Sequence, residues 1–500
     1  MRISCGKKRP RGGNEVLGTT RMIEQGQPRQ ELRKDAIGLW SIVFFVVAAA
    51  SPLMAMLGTV PIVLRSGNGV GAPAAWAIAG VILLFFSVGY SAMSRHITNA
   101  GAFYAYIANG LGRPVGIGGA MVAILSYNAI QISIYALLGF FLRLEMAEHF
   151  KVEIAWWVYA ASAAIICYLC GIRHVEFSGK LLGMFMVCEV GILIVLDLAV
   201  IRRGGAEGLS LTSFMPHQVF RSGMGIALMF AIACYVGFEA TANFSEEVRD
   251  AKRTVPIATY VAVTMIMVFY TLSSWAAVTG YGPSRVVAVA AMDTGDFWFN
   301  LNTRYVGRLS TDLMQVLLIS SIFAGILSFH NTITRYLFAM GREGLLWRPL
   351  ANTHPRHQSP YIAGMVQTAI ALAVVLAFAV TKQDPYSVLF AWTSAIATLG
   401  ILLNQILVAL AVIGFFRRTG LDRRLWHTLI SPILAAVGLT TCFILVWSNL
   451  DLLSGSDSRI VASFPYLVLG TGLFGIVLGY YLRANKPQLY ERFGSLIKSD

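Results

Sequence analysis

Charged side chains are scarce in this sequence: 13% of 500 residues, against 56% hydrophobic, where a soluble chain of this length carries about a quarter charged. A soluble main body is excluded. Acids are scarcer than bases, 25 against 39 Lys and Arg. No G-x-x-x-x-G-K-[ST] loop is present, which argues against ATP as a direct driver. No short apolar core with a small-residue cleavage site precedes the first long apolar run, so no signal peptide is expected. The six cysteines make no framework: Cys167, Cys170, Cys188, Cys234 and Cys442 lie in apolar runs and Cys5 in the N-terminal tail. "CYLC" at 167–170 has no second ligand pair and reads as small buried hydrophobes. No catalytic cluster or metal-ligand spacing is found, so neither an enzyme nor a cofactor is implied.

What the chain has is apolar length. Twelve runs, at approximately 37–64, 73–94, 115–141, 154–171, 175–201, 223–245, 256–280, 311–340, 360–381, 386–416, 427–448 and 461–482, are long enough to cross a bilayer, which takes roughly 20 apolar residues. We call them segments 1 to 12. With the N-terminus inside, 28 of the 39 Lys and Arg fall in inner loops and tails, the bias expected of cytosolic loops. It predicts a multi-pass protein of the cytoplasmic (inner) membrane with both termini cytosolic. The net charge of +14 then faces anionic membrane lipid and calls for no nucleic-acid partner. "KKRPRGG" near the start reads as part of a disordered, solvated basic tail, with a lipid or nucleic-acid patch as the alternative.

Residues 1–36 are thus a basic cytosolic tail and 486–500 a second tail. Between them, 37–202 holds segments 1–5, 203–416 segments 6–10, and 417–485 segments 11 and 12. Residues 281–310 read as an outer loop with short helices, a candidate lid. Segment 1 carries "AAASPLMAMLGTVP", with Pro52, Gly58 and Pro61, and segment 6 carries Gly237 within "ACYVGFEATANFSEEVRDAKRTVP" at 233–256. Five helices is an odd number, so a second five-helix half enters from the opposite face. An interrupted helix at the start of each inverted half points to a transporter's binding site. Irregular backbone is tolerated at membrane depth only where it lines a cavity. There free amides attract a carboxylate and free carbonyls an ammonium, which suits a zwitterion.

Three stretches carry a family resemblance: "NAGAFYAYIANGLGRPVG" (99–116), "YVGFEATANFSEEVRDAKRTVP" (235–256) and "TRYLFAMGREGLL" (334–346). In these, and in their order and spacing, the chain resembles the amino acid–polyamine–organocation (APC) superfamily of secondary transporters. The resemblance implies an all-α integral membrane fold of 12 transmembrane helices, a LeuT-like 5+5 inverted repeat plus two extra helices, working by alternating access. It places substrate at Ala49, Ala50, Ser51 and Pro52 of segment 1 and at Ala233, Cys234, Tyr235, Val236 and Gly237 of segment 6. "AAASPL" departs from the Gly-x-Gly of many members, which leaves open which backbone groups face the ligand.

Polar residues inside the runs complete the list. Asn128, Gln131 and Tyr135 share one face of segment 3: either a pocket wall, since this segment lines the site in the family, or helix–helix glue. Thr393, Ser394 and Asn404 of segment 10 read as glue. His330 reads as a satisfied interfacial histidine, and Arg335 as snorkelling or capping a loop near the cytosolic end. Glu239 either pairs with Arg335 or loop donors, or senses substrate or proton at the inner gate. Glu189 lies nine residues past Lys180, about 13 Å deeper at the helical rise. A carboxylate at that depth is a functional residue by default, and Glu189 is the candidate carrier of a coupling proton, with structural pairing as the alternative.

The reading is a secondary active transporter of an amino acid or related small amine, proton-coupled. The alternatives are a substrate/product exchanger of the same family or a channel-like facilitator. The expected partners are substrate, proton and membrane lipid, in a monomer or homodimer.

Overall fold

The structure, a computed structural model, describes Leu32 and residues 37–173, 175–454 and 458–494. Cys5 and the basic stretch near the start lie outside them.

Among the described residues the chain is helical throughout, because inside a bilayer only a helix satisfies its own backbone locally. Among the described residues, eleven helices are long and apolar enough to cross a membrane, matching segments 1–3 and 5–12. Segment 4 is the shorter apolar helix Trp156–Ile172, of 17 residues. The faces turned away from the bundle are apolar and exposed, as in segment 12, where Leu473, Phe474 and Val477 are each about three-fifths exposed. A bilayer covers such faces. Cys188 lies on one of them, while Cys167, Cys234 and Cys442 are buried.

Both ends of the described chain meet on one side of the bundle. Ile37 bridges to Val248 in the loop after segment 6, and the Gly494 amide donates to Glu343 at the end of segment 8, at 3.0 Å. An even number of crossings gives this arrangement. Between segments 7 and 8, on the opposite side, the expected short helices are Val286–Met292 and Phe297–Tyr305. They do not hang free: the buried Trp298 indole donates to the Met56 carbonyl of segment 1 at 2.9 Å.

Candidate functional site: two helix breaks above a sealed gate

Segment 1 is two helices, Leu39–Ala50 and Pro52–Ser66, joined by Ser51 in the left-handed region (φ 44°, ψ 71°). The cause is local. Proline excludes its predecessor from the right-handed helical region, and Pro52 itself is comfortable as the first residue of the new helix. A Ser-Pro pair thus makes the break without a glycine there. Gly58 and Pro61 do not interrupt the second half, which runs through both. The Ser51 hydroxyl donates to the Ala48 carbonyl at 3.0 Å, and the Ala50 carbonyl accepts from Tyr270 of segment 7 at 3.0 Å. Left-handed φ on a non-glycine residue costs about 1–3 kcal/mol, so the break depends on proline. Pro52→Ala is expected to let the helix continue and to weaken substrate binding at least about tenfold, or about 1.4 kcal/mol. A thermal-shift titration of the purified variant checks this; wild-type affinity contradicts it.

Segment 6 is the helix Met224–Ala233 followed by a turn and the 3-10 stretch Phe238–Phe244. Gly237 bridges them at φ 115°, ψ −18°. It also permits a close approach: a Cβ on Gly237 would stand 2.7 Å from the Ala49 methyl of segment 1 and 3.5 Å from the Phe329 ring of segment 8. The two breaks therefore touch. Cys234 reaches Thr59 of segment 1, sulfur to hydroxyl at 3.4 Å, and the Tyr235 hydroxyl donates to the Trp76 carbonyl at 2.8 Å. Val236 is buried and Ala233 half-buried.

The Gly237 amide is not held open for a ligand. It donates to Oε2 of Glu239, two residues on, at 3.1 Å. The other oxygen of that carboxylate accepts from Tyr127 at 3.3 Å, and the Glu239 carbonyl from Tyr90 at 2.6 Å. This corrects the expected pairing of Glu239 with Arg335: a carboxylate two residues away caps the break more directly than a cation a helix away.

Glu189 is fully buried. Ser321 of segment 8 donates to its Oε2 at 2.6 Å and accepts from the Met54 amide at 3.4 Å. Its Oε1 has no hydrogen-bond partner among the described residues. The carboxyl thus sits at the start of the second half of segment 1, the end of a helix that favours negative charge, and links segments 1, 5 and 8 at the break. Two turns further along segment 5, Asp197 is 8% exposed and accepts from Ser273 of segment 7 at 2.6 Å. It was missed in the sequence, although the rule that singles out Glu189 applies to it equally.

The segment 3 amides point elsewhere. Asn128, half-buried, donates to its own helix at Ile124. Gln131, fully buried, donates to the Tyr135 hydroxyl at 3.1 Å and the Ile326 carbonyl at 3.5 Å, and accepts from Gln367. It joins segments 3, 8 and 9 and has no hydrogen bond to either break. Asn404, with its amide oriented to satisfy both groups, bridges segment 10 to Gly119 and Ala123. His330 is buried between segments 4, 8 and 9, beside Tyr168 and Gly364, with Nδ1 unpartnered among the described residues.

Below the breaks, on the side of the chain ends, the bundle is sealed. Arg335 does not snorkel. It is 2% exposed, forks onto both oxygens of Glu247, donates to the Asn331 carbonyl at 2.9 Å and lies over the Phe244 ring. Arg342 forks onto Glu246 with both bonds at 2.7 Å, and Glu246 also accepts from the Ala100 amide at 2.9 Å. Glu343 accepts from Asn99 at 2.9 Å and from Gly494 at 3.0 Å, and Tyr104 stacks on Phe493 at 4.9 Å. The three stretches around 99–116, 235–256 and 334–346 meet here.

The two sides differ. Residues 45–50, 234–245 and 327–341 are all buried. On the other side Met54, Leu57, Gly58 and Ile62, on one face of segment 1, and Ala233 of segment 6 remain partly exposed.

A multi-pass helical bundle with two interrupted helices touching at its centre and ion pairs closing one end has the architecture of a membrane transport protein. The chain matches the model of the family described as amino acid permease over residues 37–474, and it belongs to that family. It is 22% identical over 510 aligned positions to the human Asc-type amino acid transporter 1, covering 97% of this chain and 90% of that protein. It is 24% identical to the low-affinity putrescine importer of Escherichia coli K12, over 69% of this chain and 75% of the importer. To the human large neutral amino acids transporter small subunit 2 it is 22% identical, over 87% and 78% of the two chains.

Proposed function

We propose that this permease is a secondary active transporter carrying an amino acid or small amine by alternating access, coupled to protons. Its twelve segments form a LeuT-like 5+5 inverted repeat plus two further helices, with both termini cytosolic. Substrate lies where Ala49–Pro52 meets Ala233–Gly237. The observation that carries the reading is the contact of the two breaks with a buried carboxyl, Glu189, at the same place. The helix ending at Ala50 and the helix ending at Ala233 turn carbonyls towards the centre, which suits an ammonium. The amines named for the putrescine importer and the amino acids named for the other relatives share that group.

Glu189 is the coupling group. Its bonded oxygen reads the position of segments 1 and 8 through Ser321, and its unpartnered oxygen can hold a proton. Ionised, it favours the positive end of the segment 1 half-helix; protonated, it releases that attraction, so proton binding biases the arrangement of the break. In the closed state Glu239 spans its own turn, and its loss of the Gly237 bond when substrate arrives would couple occupancy to the gate.

Glu189→Gln keeps the size and mimics the protonated form. In proteoliposomes it is expected to retain substrate binding and exchange at equal pH while losing accumulation driven by a pH gradient. Uphill uptake in Glu189→Gln at the wild-type level makes this carboxyl structural. Exchange that is as fast as wild type while the wild type itself ignores a pH gradient favours the exchanger reading.

A further inference from the structure

We infer that Asp197 is a second proton-binding site, a relay between Glu189 and the face of the membrane opposite the chain ends; this rests on the reading of Glu189 as the coupling group.

Segment 5 runs from the side of the chain ends to the other side, finishing at Arg202. Leu182, Met186, Glu189, Leu193, Leu196, Asp197 and Val200 make its buried stripe. Asp197 is eight residues beyond Glu189, about 12 Å further along the axis, and five short of the helix end. The two acids have matching surroundings. Each is at least nine-tenths buried, has one oxygen bonded to a serine of a neighbouring segment at 2.6 Å, and has its second oxygen unpartnered among the described residues.

An acid in a purely structural role would have both oxygens satisfied, because a bare carboxylate oxygen at this depth is costly. Ser273 is the one hydrogen-bond partner of Asp197 among the described residues. Segment 7 bridges the two sites: Ser273 bonds Asp197, and Tyr270, one turn earlier, bonds the Ala50 carbonyl at the break.

The surrounding groups leave the proton to Asp197 itself. Segment 7 offers Tyr270 and Ser273. The helix Phe297–Tyr305 carries Arg304, which lies over the Tyr305 ring together with Arg203. Segment 8 has Ser321 and His330 at depth, Arg335 paired with Glu247 towards the chain ends, and Arg308 and Asp312 at its opposite, exposed end. The second half of segment 1 has Arg65, exposed and bonded to Thr294, and its first half contains no titratable side chain. The titratable side chains of segment 4 are Tyr and Cys.

One proton taken from the outer water neutralises Asp197. It passes to Glu189 when that carboxyl is empty, and Asp197, ionised again, rebinds from the same side. Charge is conserved at each step; because each proton hop needs hydrogen-bond reach, the about 12 Å between the two carboxyls is crossed along a chain of water molecules entering beside segment 7.

The test uses the full chain in proteoliposomes with a pH-sensitive dye inside, comparing wild type, Asp197→Asn and Glu189→Gln. Asp197→Asn is expected to keep wild-type substrate affinity and equal-pH exchange. Its pH-driven uptake and substrate-linked proton entry should slow by about a hundredfold, the low end of what a positioned proton-transfer group contributes. Wild-type rates in Asp197→Asn, with Glu189→Gln uncoupled, overturn the relay and leave the coupling group standing. Wild-type accumulation in Glu189→Gln overturns the underlying reading and the relay with it. Should Asp197→Asn fail to fold, Ser273→Ala removes the one donor and is expected to slow proton entry without changing exchange; an unchanged rate overturns the inference.

Discussion

Gly237→Leu is expected to abolish substrate binding while leaving the protein inserted in the membrane. Two effects act together. The backbone at φ 115° lies where a side chain is strained by about 1–3 kcal/mol. The first carbon of any side chain also meets the Ala49 methyl at 2.7 Å, closer than packed carbons approach. Relief requires the two breaks to separate, and they are the proposed site. Loss of affinity by about a hundredfold or more, about 2.7 kcal/mol, is expected in a thermal-shift titration, with Gly237→Ala intermediate. Insertion should survive because leucine is favourable in a bilayer. Normal binding in Gly237→Leu would place the substrate elsewhere.

The second large effect belongs to the gate. Arg335→Ala leaves Glu247 buried and uncompensated, a cost of about 3–5 kcal/mol. That cost applies only while the gate is closed, so the population shifts towards states open on the side of the chain ends. A shift of about 4 kcal/mol changes the ratio of states by roughly a thousandfold, enough to halt a cycle that must visit both. Net uptake should fall at least a hundredfold on the same scale, and amide hydrogen exchange in residues 238–244 should rise. The double variant Arg335→Met with Glu247→Leu replaces the pair by apolar packing, which is often neutral or stabilising. Its exchange rates are expected to return to wild type while transport stays low. Exchange rates in Arg335→Ala equal to wild type would deny the pair a gating role.

The residues whose behaviour was legible in the sequence are those governed by local rules. The apolar runs follow from the bilayer's demand that each backbone group be satisfied, and the Ser51 break follows from proline's effect on the residue before it. Glu189 stood out because a carboxyl at mid-depth is rare. What was not legible depends on helix rotation or on distant partners. Gln131 shares a face with Asn128, yet the turn of segment 3 carries it to Gln367. Arg335 and Glu247 are 88 residues apart, and Arg342 and Glu246 96, so no local pattern announces either pair. The stretches that identify the family lie mostly at the sealed end, and the two helix breaks, built largely from backbone and small side chains, leave a weaker signature. Of the readings open for Glu239, the pairing with Arg335 fails because the Gly237 amide two residues away holds the carboxylate and Arg335 goes to Glu247.

In the proposed function, a proton gradient moves substrate uphill through the site between the two breaks. The most direct measurement is accumulation of labelled amino acids and putrescine by the purified protein in liposomes, with and without an imposed pH gradient. Saturable uptake of at least one of these above its external concentration is expected, collapsing when the gradient is dissipated. Uptake that never exceeds the external concentration, or that does not saturate, would contradict it.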